Sequence, residues 1–157
     1  MQQIKIVIFA VTLILTAITA SNAQKLTSDK VPAAVKSAFK TKFPNVTKVK
    51  WELENKDYEG VFTLNGEEAS ANFEPNGKWL ETEEEIEVSD LTAAVHTALK
   101  NDFAGYKVSE ASKIESAENG YTYEAEIEKG EESWDVIFTA EGKVLSKTRI
   151  DEAKEKD

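Results

Sequence analysis

Cysteine is absent from the chain, and histidine and methionine occur once each. Without cysteine there is no disulfide, no thiolate nucleophile and no residue to carry a lipid at a processed N-terminus. A zinc site draws on several cysteine or histidine ligands, and His96 alone cannot build one. His96 matches Lys36 in the first of two similar helical stretches and falls on the polar side of its own stretch, so it reads as a solvated surface residue. Neither GxGxxG nor GxxxxGK[ST] occurs, which removes the usual glycine cradles for phosphate. Basic patches interleaved with aromatics are also missing.

Positive charge is in short supply. The chain has 29 Asp and Glu against 19 Lys and Arg, a formal net charge of −10. Such a balance repels phosphate backbones and anionic membrane surfaces, so nucleic acid is excluded as a natural partner. Long apolar runs are confined to one place. "MQQIK" carries a single positive charge at Lys5, the run from Ile6 to Ala20 is apolar, and "SNA" sets small residues at 21 and 23. This pattern predicts a secretory signal peptide over residues 1–23, cut between Ala23 and Gln24. The run of 15 residues (20 − 6 + 1) falls short of the about 20 that a spanning helix needs. The expectation is an exported protein, periplasmic or secreted, with no membrane insertion after cleavage. Removal of 23 residues from 157 leaves 134, one domain's worth.

What the chain does contain is a repeat. "VPAAVKSAFK" at 31–40 aligns without a gap on "LTAAVHTALK" at 91–100. Val31, Val35, Ala38, Phe39 and Phe43, and Leu91, Val95, Ala98, Leu99 and Phe103, each trace one side of an α-helix. Asp29 and Ser89 stand where each could cap its helix, and Pro32 suits a first turn. Beyond each helix the period becomes two. Val49, Trp51 and Leu53 alternate with charged residues, as do Tyr121, Tyr123, Ala125 and Ile127, which predicts half-buried antiparallel strands. Turn signals at "NG" 65–66, "PNG" 75–77, "ENG" 118–120 and "EG" 141–142 divide each copy into four short strands.

The expected fold is therefore α+β: a tandem duplication of a helix plus a four-stranded antiparallel meander, with both helices on one face of a continuous or nearly continuous curved sheet. The units are a first repeat at 24–88, a second at 89–150 and a charged tail at 151–157. The face away from the helices is expected to be open and concave.

The helix "VPAAVKSAFKTKFP", the "YEG…NGEE…FEPNGKWL" meander and a second copy ending "TAEGKVL" resemble the PepSY-like, β-lactamase-inhibitor-like family of exported domains. The resemblance covers roughly residues 31–150. It implies helices packed on an antiparallel sheet and a non-catalytic role by analogy with inhibitor and propeptide domains. It brings no catalytic residue and no cofactor.

Two features remain as candidates for chemistry. "ETEEEIE" at 81–87 is the densest acidic run; it lacks the alternating ligands and central glycine of a calcium loop, and it reads as a solvated edge strand or linker. Trp79 matches Val144 and precedes Leu80, the better core candidate, so it is expected to point to the open face as an anchor for a protein partner. The functional expectation is a non-enzymatic protein-binding module, inhibitor-like in form, using the open sheet face. The alternatives are a small-ligand or cation-binding protein using its acidic surface and, further off, a small carboxylate-dependent hydrolase. The processing expectation is checked by intact mass of the exported protein: a chain beginning at Gln24 is expected, and an exported species of the full 157 residues rules the cut out.

Overall fold

In a computed structural model of the chain, residues 24–150 are described; the signal peptide expected at 1–23 and the tail expected at 151–157 lie outside the described residues. Among the described residues, nine strands form one antiparallel sheet whose spatial order is the chain order. They are β1 (Gln24–Leu26), β2 (Lys50–Glu54), β3 (Asp57–Leu64), β4 (Glu67–Phe73), β5 (Trp79–Glu85), β6 (Lys107–Ser116), β7 (Gly120–Lys129), β8 (Glu132–Thr139) and β9 (Val144–Ile150). Helix α1 (Ala33–Lys42) precedes β2, and α2 (Ala93–Asp102) precedes β6.

The helices form where the 3.6-residue period placed them, but their starts differ from expectation. Asp29 and Ser89 lie in separate 3-10 turns, Ser28–Lys30 and Val88–Asp90, and cap neither helix. Pro32 disfavours helical geometry in the residue before it, and Val31 is extended, so α1 starts at Ala33 with Pro32 as an N-cap lacking a side-chain bond. Thr92 caps α2 instead: its Oγ1 accepts from the Val95 N–H at 3.1 Å and donates to the Ala140 carbonyl at 2.8 Å.

Each helix buries its apolar stripe on its own half of the sheet. Val31, Val35, Phe39 and Phe43 pack with Trp51, Phe62, Ala69, Ala71 and Phe73. The Phe39 ring sits 5.3 Å from Trp51 and 5.0 Å from Phe62, both edge-on, the arrangement that aromatic quadrupoles favour. Gly60 keeps this cluster closed, since a Cβ there would lie 3.3 Å from the Phe39 ring and 3.0 Å from Val49. Leu91, Val95 and Leu99 pack with Ala111, Ala125, Ile127, Val136 and Phe138.

The two halves share further geometry at spacings of sixty and then sixty-five residues. Leu26 pairs with Trp51, and the Ile86 N–H donates to the Ala111 carbonyl at 2.9 Å. The end of β5 thus stands beside β6 as β1 stands beside β2. Gly77 and Gly142, at φ of 87° and 81°, bring their turns so close to the helix starts that a Cβ would lie 2.7 Å from the Ala34 carbonyl oxygen and 2.5 Å from that of Ala94. Only glycine combines that φ with that approach.

The acidic run is not at an edge. β5 is the middle strand of the nine, paired with β4 on one side and β6 on the other. The expectation of an edge strand or linker is corrected: β5 pairs with β6, so the acidic segment becomes the centre of the sheet.

The helix packing gives a direct test. Phe39 and Leu99 are 4% and 8% exposed. Phe39→Ala is expected to cost about 3–5 kcal/mol and Leu99→Ala about 2–5 kcal/mol, whereas His96→Ala, on the exposed side of α2, should stay within about 0.5 kcal/mol. Urea titration reads all three; a His96→Ala loss equal to that of Leu99→Ala contradicts the observed helix phase.

Candidate functional site

Directly paired residues of antiparallel strands project to the same side of a sheet. The pairing sequence Ala69, Glu84, Lys113, Tyr123, Phe138 runs from one core cluster to the other, so the strand residues of both clusters share a side. The alternate residues form the opposite side. One row there is Glu52, Glu59, Asn72, Glu81, Ser116. The next is Lys50, Val61, Ser70, Glu83, Ile114, Thr122. A third is Glu85, Ser112, Glu124, Ile137 and a fourth Glu110, Glu126, Asp135, Thr148. This side is a carboxylate surface with a few aliphatic residues set into it.

Several of these carboxylates face one another directly. Glu52 is opposite Glu59, Glu54 opposite Asp57, and Glu126 stands between Glu110 and Asp135. Like charges in such positions are destabilising. The ion pairs of Lys42 with Glu115 at 3.2 Å and of Lys78 with Glu74 at 3.1 Å involve none of the carboxylates in these rows.

Burial and mutual repulsion displace the proton affinities accordingly. Desolvation, followed by the charges of Glu83 and Asp135, pushes Glu124 up to about 8. Desolvation, then Glu126 and Glu110, pushes Asp135 up to about 6. Burial is also the leading cause that raises Glu59, Glu81 and Glu83, with hydrogen bonds from Ser70, Asn72 and Ser112 respectively acting against it. At neutral pH Glu124 is thus largely a protonated acid beside an ionised Asp135.

Two cavities open on this side. One, of about 220 Å³, is lined by Glu83, Glu110, Glu124, Glu126 and Asp135 and bordered by Thr148 and Arg149. The other, of about 270 Å³, is lined by Glu59, Val61, Glu68, Ser70, Glu83 and Glu85. Both also take in Glu110 and Ser112, so they abut. Among the described residues, no three or more His, Cys, Asp or Glu side chains converge to hold a metal ion. The protonated Glu124 and ionised Asp135 have acid–base capacity, but no cysteine exists to serve as nucleophile and His96 lies on α2.

Trp79 is not on this side, which corrects its expected orientation. It pairs with Phe73 and packs against the first core cluster. Its Nε1–H donates to Thr82 Oγ1 at 3.0 Å, and Lys42 Nζ lies 3.6 Å from the ring centroid, a cation–π contact. The cause is a β-bulge between Asn72 and Phe73, which leaves Leu80 as an extra residue in β5 and reverses the alternation beyond it. The same irregularity between Ile137 and Phe138 leaves Leu145 extra in β9, so Val144, not Leu145, packs with the second core. Trp79 still lines, with Leu80, Glu81 and Asp57, a cavity of about 310 Å³ at the end of the sheet. Tyr121 also departs from expectation: it is 54% exposed, with Lys113 Nζ 4.3 Å from its ring centroid.

The raised carboxylates fix the sign of the pH dependence. Their protonated form is favoured in the folded chain, so stability is greatest where the unfolded chain also keeps those protons. It falls as pH rises from the ordinary value of 4.5 for Glu124 to its folded value of about 8. Asp29 and Glu74, which shift the opposite way, are solvent-exposed and act only at lower pH. The melting temperature is expected to be higher near pH 5 than near pH 8, and Glu124→Gln should raise it at pH 8 and flatten the dependence. Trp79→Ala should cost at least about 2 kcal/mol through lost packing; an unchanged melting temperature contradicts the packed orientation.

The family profile described as "Putative beta-lactamase-inhibitor-like, PepSY-like" matches residues 17–68 and 56–146. No curated protein sequence matches the chain. Among solved structures, a "putative periplasmic" protein from Bacteroides eggerthii aligns at a TM-score of 0.74 and 22% identity over 80% of this chain and 93% of its own. A BLIP-like protein from Bacteroides fragilis aligns at 0.69 and 26% identity over 80% and 92%. A DUF2874 family protein from Bacteroides ovatus aligns at 0.73 and 20% identity over 79% and 91%. Large antiparallel sheet, two helices and profile agree, and the chain belongs to the PepSY-like, beta-lactamase-inhibitor-like family.

Proposed function

We propose that the chain is a non-enzymatic binding module of the cell envelope or its surroundings, and that it engages another protein through the carboxylate side of its sheet. In this reading the protein is a tandem duplication whose two helices cover one side of the sheet and leave the other open. The sixty-residue spacing of the helix starts and the sixty-five-residue spacing of the bulges and of Gly77 and Gly142 support it. The observation that carries the functional part is the exposed side itself. Aliphatic Val61, Ile114 and Ile137 are set among partly desolvated carboxylates, and these residues join neither core cluster. A surface with apolar floor and charged rim is suited to a protein partner.

Family membership and the periplasmic and BLIP-like neighbours support an exported, inhibitor-like form of this role, with the leader removed before residue 24. Among the described residues no helix is long and apolar enough to cross a membrane. Trp79, the anchor expected from sequence, would reach a partner only from the cavity at the end of the sheet. Cation binding ranks lower because no metal-holding group is found among the described residues, and carboxylate hydrolysis ranks lower because the Glu124 and Asp135 pair is the one feature that speaks for it.

The test is retention of exported proteins by the wild type and by a variant carrying Val61→Trp and Thr148→Trp, one in each cavity. A stoichiometric partner held by the wild type and lost by the variant is expected. A partner held equally by both overturns the open-side reading.

A further inference from the structure

We propose that the partner of the open side is a cationic polypeptide whose lysine or arginine side chains lie in the trough made by the two abutting cavities; this rests on the binding reading above. The carboxylates that border the trough are spread, not convergent. From Glu59 on β3 to Asp135 on β8 there are five strand steps, about 24 Å at about 4.8 Å per step. A single metal ion engages a few oxygens within one coordination sphere, and among the described residues no such sphere exists. A row of charges of that length is complementary to an extended chain that carries several cations.

The side chains suit lysine and arginine in a second respect. Long cationic side chains bury their aliphatic stems on apolar surface and keep the charged head with polar groups. Val61, Ile114 and Ile137 supply that surface, each beside a carboxylate-bearing or hydroxyl-bearing partner: Ile114 opposite Glu83, Ile137 opposite Glu124, Val61 opposite Ser70. The cations that the chain itself brings to this region stand at its borders. Lys25 is on β1 opposite Glu52, Lys50 is on β2, and Arg149 is on β9. Between them, Glu126 stands opposite both Glu110 and Asp135, carboxylates that repel one another and gain by the arrival of positive charge.

The experiment measures binding of dodecalysine, with an uncharged Gly/Ser peptide of equal length as reference, at about 0.15 M salt, where charges further apart than about 8 Å are screened. Three proteins are compared: the wild type, the trough variant Glu110→Gln/Glu126→Gln/Asp135→Asn, whose three side chains line one cavity, and the control Glu87→Gln/Glu131→Gln/Glu141→Gln, which replaces three carboxylates at exposed positions near turns. A cooperative melt of each is required; if the trough variant lacks one, Glu110→Gln/Glu126→Gln replaces it, against Glu87→Gln/Glu131→Gln as its control. Expected are dodecalysine binding by the wild type, a loss of about tenfold or more in the trough variant, and less than about twofold in the control. Absence of wild-type binding, or equal loss in both variants, overturns the proposal, the latter because only net charge is then at work. A saturable calcium-induced rise in melting temperature that the trough substitutions abolish also overturns it, in favour of an inorganic cation site. If Val61→Trp with Thr148→Trp still releases an exported partner while dodecalysine fails, the open-side reading stands and the cationic assignment falls. If that partner is unaffected by the two tryptophans, the reading itself fails.

Discussion

The β5–β6 ladder is the contact on which the rest of the molecule depends. Five residue pairs, from Glu81 with Ser116 to Glu85 with Ser112, make one sheet out of two meanders. Without that ladder each half would be a small sheet with one helix and a raw edge. With it, the most acidic segment of the chain is drawn to the centre, where both of its backbone edges are bonded and its carboxylates cannot all turn to water. The raised proton affinity of Glu81 and Glu83, and of Glu124 two strands away, follows from that placement. Local sequence gave β5 its charge, and the topology made the charge costly.

The same ladder explains why the protein has two hydrophobic clusters and not one. On the core side, the residues of β5 and β6 between the clusters are Thr82, Glu84, Lys113 and Glu115. They form a polar seam. It is bridged from α1 by Lys42, which meets Glu115 and the Trp79 ring, and from β5 by the Trp79–Thr82 hydrogen bond. Thr82 is buried to 6% exposure and is satisfied by that bond, as a buried hydroxyl needs to be. Trp79 therefore serves the junction between halves, a role that requires it on the core side.

Helix phase and strand alternation were legible in the sequence because both follow from local periodicity. Val35, Phe39, Val95 and Leu99 are buried where the 3.6-residue period put them. Trp79 was misplaced because a β-bulge changes the period by one residue, and nothing in "GKWL" or "GKVL" marks the extra Leu80 or Leu145 as such. The bulge recurs in both halves, so comparing one half with the other reinforced the error. The acidic run was read as an edge because charge protects edges; its central place depends on the pairing of β5 with β6, which is a long-range fact. The carboxylate surface is the alternate phase of strands whose apolar phase was recognised. It could have been found by aligning the polar positions of neighbouring strands as carefully as the apolar ones.

Strand order and chain order are identical from β1 to β9. Every strand after the first therefore pairs with the strand that precedes it in the chain, and only the β1–β2 and β5–β6 pairings wait for a helix to be made in between. A polypeptide that emerges N-terminus first can add strands to a growing edge one at a time, and each helix reaches its half of the sheet after a short local closure. Sequence-local topologies of this kind carry little loop-closure entropy and fold quickly for their strand content. The meander is thus suited to assembly during directional emergence, with one growing edge to extend at any moment.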